Sequence, residues 1–208
     1  MQGKFITIEG IEGVGKSTNI AFIQSWLQSQ GIECLLTREP GGTDLGEQLR
    51  NILLHGGDVS DKAELLMMFA SRAQHLQEKI KPALDRGVWV LCDRFTDSTY
   101  AYQGGGRQLN FDWISQLEQL VHGDMQPDLT VLLDAPVEVG RARASARSEA
   151  DRIEAEDMAF FNRVRDMFLA RAEQYKRYSV VDATQPLEHV QKDIELSLKH
   201  LLNTAGPV

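Results

Sequence analysis

The segment Gly10-Ile11-Glu12-Gly13-Val14-Gly15-Lys16-Ser17 has the spacing G-x-x-x-x-G-K-[ST], the pattern of a backbone cradle for phosphate. Its glycines let the loop turn its N–H groups inward toward phosphate oxygens, and a helix beginning behind it adds partial positive charge. Lys16 then reaches the β- and γ-phosphates and the Ser17 hydroxyl ligates Mg²⁺, so the pattern implies a bound nucleoside triphosphate. Glu12 is unusual inside such a loop. A carboxylate there repels phosphate unless it faces another ligand, which points to a second substrate offering a hydroxyl or an amine. Two further loops suit that substrate. Thr37-Arg38-Glu39-Pro40-Gly41-Gly42-Thr43 is a rigid turn carrying an arginine and a glutamate, and Asp93-Arg94-Phe95 follows an apolar run. Asp93 can hold Mg²⁺ through water, and Arg94 can take an acceptor phosphate.

These loops need elements that bring them together. Short apolar or β-branched runs at Phe5–Ile8, Glu33–Thr37, Val88–Cys92, Leu129–Leu133 and Tyr178–Val181 read as strands. The stretches between them carry helical periodicity: Ile20, Ile23 and Leu27; Leu45, Leu49 and Leu53; Ala63 through Ile80, ending before Pro82; Ile114, Leu117 and Val121; and a last helix from about Pro186. This is an α/β pattern, and strands buried on both faces with helical crossovers make a parallel five-stranded sheet flanked by helices. Ligands then sit outside the strand carboxyl ends, where all three loops fall. The charged, alanine-rich segment 141–156, ahead of a long helix over Met158–Tyr175, reads as a helical lid. No repeat or Pro/Ser-rich linker divides the chain, so residues 1–208 are expected to form one domain.

Composition excludes several classes of function. The 208 residues are 42% hydrophobic and 25% charged, far from the disordered regime. A net charge of −8 has the wrong sign for gripping duplex DNA or an anionic membrane over a broad face. The 22 basic residues are 14 Arg and 8 Lys, a bias toward the side chain that binds phosphate bidentately. Cys34 and Cys92 lie in apolar runs and read as free, buried thiols, which fits a reducing compartment. The N-terminus shows no secretory hydrophobic region, and no run approaches the ~18 apolar residues of a membrane span. A cytoplasmic location without nucleic-acid or membrane partners is expected.

The order and combination of Gly10–Thr18, Thr37–Thr43, Phe69–Arg72, Asp93–Phe95, Ser98–Arg107, Arg141–Glu154 and the closing Asp182–Pro186 resemble the bacterial thymidylate kinases. The resemblance implies a P-loop nucleoside-monophosphate kinase domain that passes the γ-phosphoryl of ATP to dTMP with Mg²⁺. Carried over by position, Gly10 through Thr18 hold the donor, Lys16 and Ser17 serving its phosphates and metal, and Glu12 faces the sugar 3′-hydroxyl. Arg38, Arg50 and Arg94 surround the acceptor phosphate, with Glu39 orienting them or approaching the metal. Arg72 and Gln103 read the thymine edge and Thr99 lines the same pocket, in keeping with a guanidinium that donates to a base carbonyl and an amide that accepts from N3–H. The family carries an aromatic residue four positions before that arginine, where this chain has Met68, with Phe69 next to it. One position turns a helical side chain by about 100°. Either Met68 forms a polarizable platform or Phe69 is brought round; base–aromatic stacking, worth ~1–3 kcal/mol, favours Phe69.

One group of these kinases places an auxiliary arginine in the phosphate loop. Here that position is Gly13, while Arg141, Arg143 and Arg147 crowd the lid, so the chain is similar to the group with a lid-supplied catalytic arginine. The resemblance assigns Arg147 to the transferring group and makes Arg143 the candidate to stack on adenine. An arginine that is the principal stabiliser is worth ~10³–10⁵ in rate, so Arg147→Ala is expected to depress turnover far more than dTMP affinity. The family is typically homodimeric, and the apolar faces of Leu65–Phe69 or Phe111–Val121 are candidate interfaces. Two other functions share the phosphate loop: another nucleoside-monophosphate kinase, or a nucleotide-switched binding module. An N-K-x-D run of the guanine-binding kind is absent from the sequence.

Overall fold

The computed structural model describes residues 3–145 and 151–204. The chain opens with β1 (Phe5–Glu9), α1 (Lys16–Ser29) and β2 (Cys34–Arg38), then α2 (Asp44–His55) and α3 (Asp61–His75). A π-helical segment over Leu76–Ile80 joins α3 to α4 (Lys81–Asp85), which leads into β3 (Trp89–Asp93). The short α5 (Thr96–Thr99) runs into a second π-helical segment, Tyr100–Gly106, followed by α6 (Phe111–Val121) and β4 (Leu129–Asp134). The chain closes with α7 (Val137–Ser145), α8 (Met158–Gln174), β5 (Tyr178–Asp182) and α9 (Leu187–Thr204).

The five strands form one parallel sheet in the order β2-β3-β1-β4-β5. β1 lies at its centre, with Ile6 paired to Leu91 on one side and Leu129 on the other. Every strand matches its sequence run to within a residue or so, because β-branched and apolar side chains suit a pleat covered by helices. The expected burial of every strand holds for β1, β3 and β4 but not for the edges. β2 and β5 have one neighbour each, and Leu36 and Val180 are exposed. Cys34, on edge strand β2, is accordingly half-buried, whereas Cys92 is buried; both are free thiols.

Helix starts follow local chemistry. The Thr43 and Ser60 hydroxyls accept from the Gly46 and Ala63 N–H groups to cap α2 and α3, and Asp157 caps α8 through the Phe160 N–H. The helix from residue 61 does not stop before Pro82 as its sequence suggests. A π-helical turn carries it through Ile80, and Pro82 falls in the first turn of α4, where proline is tolerated.

Between β4 and α8, the expected lid region begins inside α7, and residues 151–156 form turns. Below the sheet ends, Asp97 accepts from Arg171 of α8 (2.6 Å) and from Arg177 (2.7 Å), which ties α5 to α8 and to the chain entering β5.

Candidate active site

The strand carboxyl ends gather a cavity of about 280 Å³. The phosphate loop forms one wall. Gly10, Gly13 and Gly15 adopt positive φ values, and Ile11 and Val14 bury their side chains in the core, so the loop is anchored from below while its backbone stays open above. Gly15 caps α1 in a left-handed conformation with no side-chain cap and no acidic residue in the first turn, where Ser17 and Thr18 are exposed. The first-turn N–H groups are thus left for an anion. Lys16 Nζ donates to the Gly10 and Ile11 carbonyls at 2.9 and 2.7 Å. Burial, and after it the charge of Arg94, push its pKa down to about 8.

Glu12 turns toward the acceptor side. Its Oε1 accepts from Arg94 Nη2 and from the Tyr102 hydroxyl, both at 2.7 Å, while its Oε2 is buried without a hydrogen bond among the described residues. Arg94 sits just past β3 at φ 68, a left-handed conformation that costs a non-glycine residue about 1–3 kcal/mol. The surroundings hold it there: its N–H donates to Ile8 O, the following Phe95 N–H donates to Glu9 Oε1 at 2.7 Å, and its Nη1 reaches Ser98 Oγ at 3.0 Å. The guanidinium also lies 4.8 Å from the Tyr102 ring centre. Burial opposes its charge, yet Tyr102, Glu12 and Asp93 together keep its pKa above the ordinary value.

The opposite wall is built by α3. Arg72 Nε donates to Glu39 Oε2 at 2.7 Å and its Nη2 to Thr99 Oγ1 at 3.0 Å; its Nη1 is buried and makes no hydrogen bond among the described residues. Glu39 also accepts from His75 Nδ1 at 2.9 Å. Burial alone would raise the Glu39 carboxyl, but Arg72 and His75 hold it below its usual range. Glu39 is thus engaged with Arg72 and His75, where the resemblance had it orienting the phosphate-binding arginines or approaching the metal. Arg50, Thr99 and Gln103 line the same cavity, and Arg50 Nη1 donates to Pro40 O.

Three expected site residues do not line this cavity. Phe69 is 2% exposed and packs with Leu65, Tyr100 and Ile114 behind Arg72, so it does not line the cavity; Met68 does. The helix phase decides this, since the face that carries Arg72 to the cavity also carries Met68. Arg38 ends an edge strand and points to Glu47 of α2, with which it pairs at 2.8 Å outside the cavity. Arg143 is exposed on α7 and donates to Ala183 O at 3.0 Å. Arg147 lies outside the described residues. Arg141 is a packing residue, donating to Glu156 O and lying over the Phe161 ring.

A second, more open depression beside the loop has Ser17, Arg38 and Asp93 in its lining. Asp93 Oδ1 is buried and without a partner among the described residues. With the Ser17 hydroxyl it supplies the hard oxygen donors that suit Mg²⁺, an ion that takes few protein ligands when substrate phosphates supply the rest.

Glu9, Tyr102, Ser98 and Glu64 shape the site without having been singled out by sequence. A charged residue closing an apolar strand was the signal for Glu9; for Tyr102 it was its place in the run Ser98–Arg107.

The sequence model of the thymidylate kinase family matches residues 8–194. The chain is 57% identical over 208 residues to the thymidylate kinase of Pseudomonas fluorescens (strain SBW25), covering 99% of each chain. It is 56% identical over 205 residues to that of Teredinibacter turnerae, covering 97% of this chain and 100% of the relative. The crystal structure of thymidylate kinase from Ehrlichia chaffeensis superposes with a TM-score of 0.80 at 35% identity, covering 96% of this chain and 99% of that one. Whole-length matches of this kind, on a sheet whose central strand feeds a phosphate loop, show that the chain belongs to the thymidylate kinase family.

Proposed function

We propose that the chain transfers the γ-phosphoryl group of ATP to dTMP, giving ADP and dTDP for dTTP synthesis. One observation carries this reading: a single cavity is walled by the phosphate loop on one side and by Arg50, Arg72, Arg94 and Gln103 on the other. Donor and acceptor phosphates can therefore meet in it. An acceptor phosphate oxygen forms the new bond to the γ-phosphorus as the bond to the β-bridging oxygen breaks. The acceptor is already an anionic nucleophile, so the protein's contribution is positioning and charge neutralisation. Lys16 and the loop N–H groups hold the donor, Arg94 and Arg50 draw in the acceptor phosphate, and Glu12 Oε2 is placed for a sugar hydroxyl. Arg147 is assigned to the transferring group from the lid. Mg²⁺, held through Ser17 and, by way of water, Asp93, would neutralise developing charge on the phosphate oxygens. With Phe69 in the core, Met68 takes the face of the base.

The reading extends to a cytoplasmic homodimer. Among the described residues no helix is long and apolar enough to cross a membrane. Leu66 of α3 and Phe111, Trp113 and Leu120 of α6 are exposed on neighbouring helices, a surface suited to a second copy. Light scattering should give roughly twice 23.3 kDa.

The deciding assay measures ADP formation from ATP and Mg²⁺ with dTMP, dUMP, dGMP, AMP or CMP. ADP formation that depends on dTMP is expected. Strong turnover of another monophosphate with none of dTMP would overturn the substrate, and ATP turnover indifferent to any monophosphate would favour a nucleotide-switched module.

A further inference from the structure

Gln103 is held by a group outside the reacting centre, and that group decides which way its amide points. Glu64, on α3, is 1% exposed, and its Oε1 accepts a 2.7 Å hydrogen bond from Gln103 Nε2. Arg152 donates to Glu64 Oε2, and Arg107 Nη2 lies 3.4 Å from the same oxygen. Burial alone would raise the Glu64 carboxyl, but Gln103 and the two guanidinium groups hold it below its ordinary value. At neutral pH Glu64 is then ionised and can only accept.

The two ends of a glutamine amide have nearly the same shape, so its orientation is set by what faces it. A carboxylate demands the N–H₂ end. The carbonyl oxygen is left as the group that Gln103 offers to the cavity it lines. On the same wall Arg72 has Nε and one N–H of Nη2 engaged by Glu39 and Thr99, while Nη1 makes no hydrogen bond among the described residues and is its buried free donor. An N–H donor and a C=O acceptor fit a base edge with the opposite order. A 4-keto pyrimidine presents O4 beside N3–H, whereas a 4-amino pyrimidine presents N4–H₂ beside an unprotonated N3.

We propose that Glu64 is a specificity-determining positioning residue: by accepting the Gln103 N–H₂ it fixes the Gln103 carbonyl toward the base, so that the site takes 4-keto and refuses 4-amino pyrimidine monophosphates. The inference rests on the dTMP reading above and deepens it.

The test compares Glu64→Gln with the parent on dTMP, dUMP and dCMP. Glutamine keeps the size of Glu64 but can present either amide end to Gln103, which releases the constraint. The dTMP:dCMP ratio of kcat/KM should fall about tenfold or more, the scale of one buried hydrogen bond reversed. The dTMP:dUMP ratio, which depends on the 5-methyl group alone, should hold, and KM for dTMP should change more than kcat. In a Gln103→Leu background, Glu64→Gln should leave the dTMP:dCMP ratio where Gln103→Leu alone puts it. An unchanged dTMP:dCMP ratio, an equal fall in both ratios, or the same fall with and without Gln103 would overturn the proposal.

A measurement on the parent protein covers the case in which the variant does not fold. The Gln103 side-chain ¹⁵N–H₂ resonance, assigned by its loss in Gln103→Leu, should be protected from solvent exchange before any nucleotide is added; rapid exchange would overturn the proposal. If the parent fails to phosphorylate dTMP, the proposed function falls. If it phosphorylates dTMP and Glu64→Gln leaves selectivity intact, this inference alone falls.

Discussion

Arg94→Ala tests the acceptor site most directly. A guanidinium carries five N–H donors. Three are engaged by Ser98, Glu12 and Tyr102, which leaves two, on Nε and Nη1, for an acceptor phosphate. At about 1.5–3 kcal/mol for each charge-assisted bond, their loss amounts to about 3–6 kcal/mol, or roughly a 10²- to 10⁴-fold fall in kcat/KM for dTMP. Arg94→Lys should recover little, because an ammonium cannot reproduce the fork that spans Glu12, Tyr102 and phosphate at once. Initial rates of ADP release against dTMP concentration at saturating ATP provide the measurement, with a thermal melt to show that the variant is folded. A folded Arg94→Ala enzyme whose kcat/KM stays within about threefold of the parent, less than ~1 kcal/mol, would refute the assignment.

Three further outcomes follow from the same geometry. Burial, and next to it the charge of Asp97, push the Glu9 carboxyl up to about 8; a folded pKa above the ordinary 4.5 means that its contribution is present at low pH and lost as pH rises through about 8. Uncharged Glu9→Gln should therefore gain Tm relative to the parent progressively between about pH 4.5 and 8 and level off above, and a Tm difference independent of pH would contradict the burial argument. Met68→Ala should raise KM for dTMP with little change in Tm, while Phe69→Ala should cost about 3–5 kcal/mol of stability in denaturant melts; the reverse pattern would return the stacking role to Phe69. Gly13→Ala would place a Cβ 1.9 Å from Gly140 O of α7 at a φ of +76, so KM for ATP should rise, and an unchanged value would show that loop and helix separate freely.

The phosphate cradle was legible because it is local. A run of eight residues determines its own φ angles and its own helix start, and the strand before it and the helix after it are each written in periodicity. The same holds for the five strands, whose apolar runs mark the chain wherever the sheet order later places them. Pro82 shows the limit of local reading. A π-helical turn ahead of it lets helical backbone run on through Pro82 into α4.

What connects distant segments was not legible. Glu9 meets Phe95 across 86 positions, Glu12 meets Tyr102 across 90, and Glu64 meets Gln103 across 39. Whether Met68 or Phe69 faces the base depends on the rotation of α3 against the sheet, which a helix cannot encode by itself. Arg38, which the resemblance assigns to the acceptor phosphate, pairs with Glu47 of α2, a contact set by how α2 packs beside β2. The sequence by itself determined the kind of chemistry, since backbone cradles and charged side chains are properties of short segments. Only the tertiary structure decided which arginines face the cavity and which way an amide points, because both depend on carboxylates delivered by elements far away along the chain.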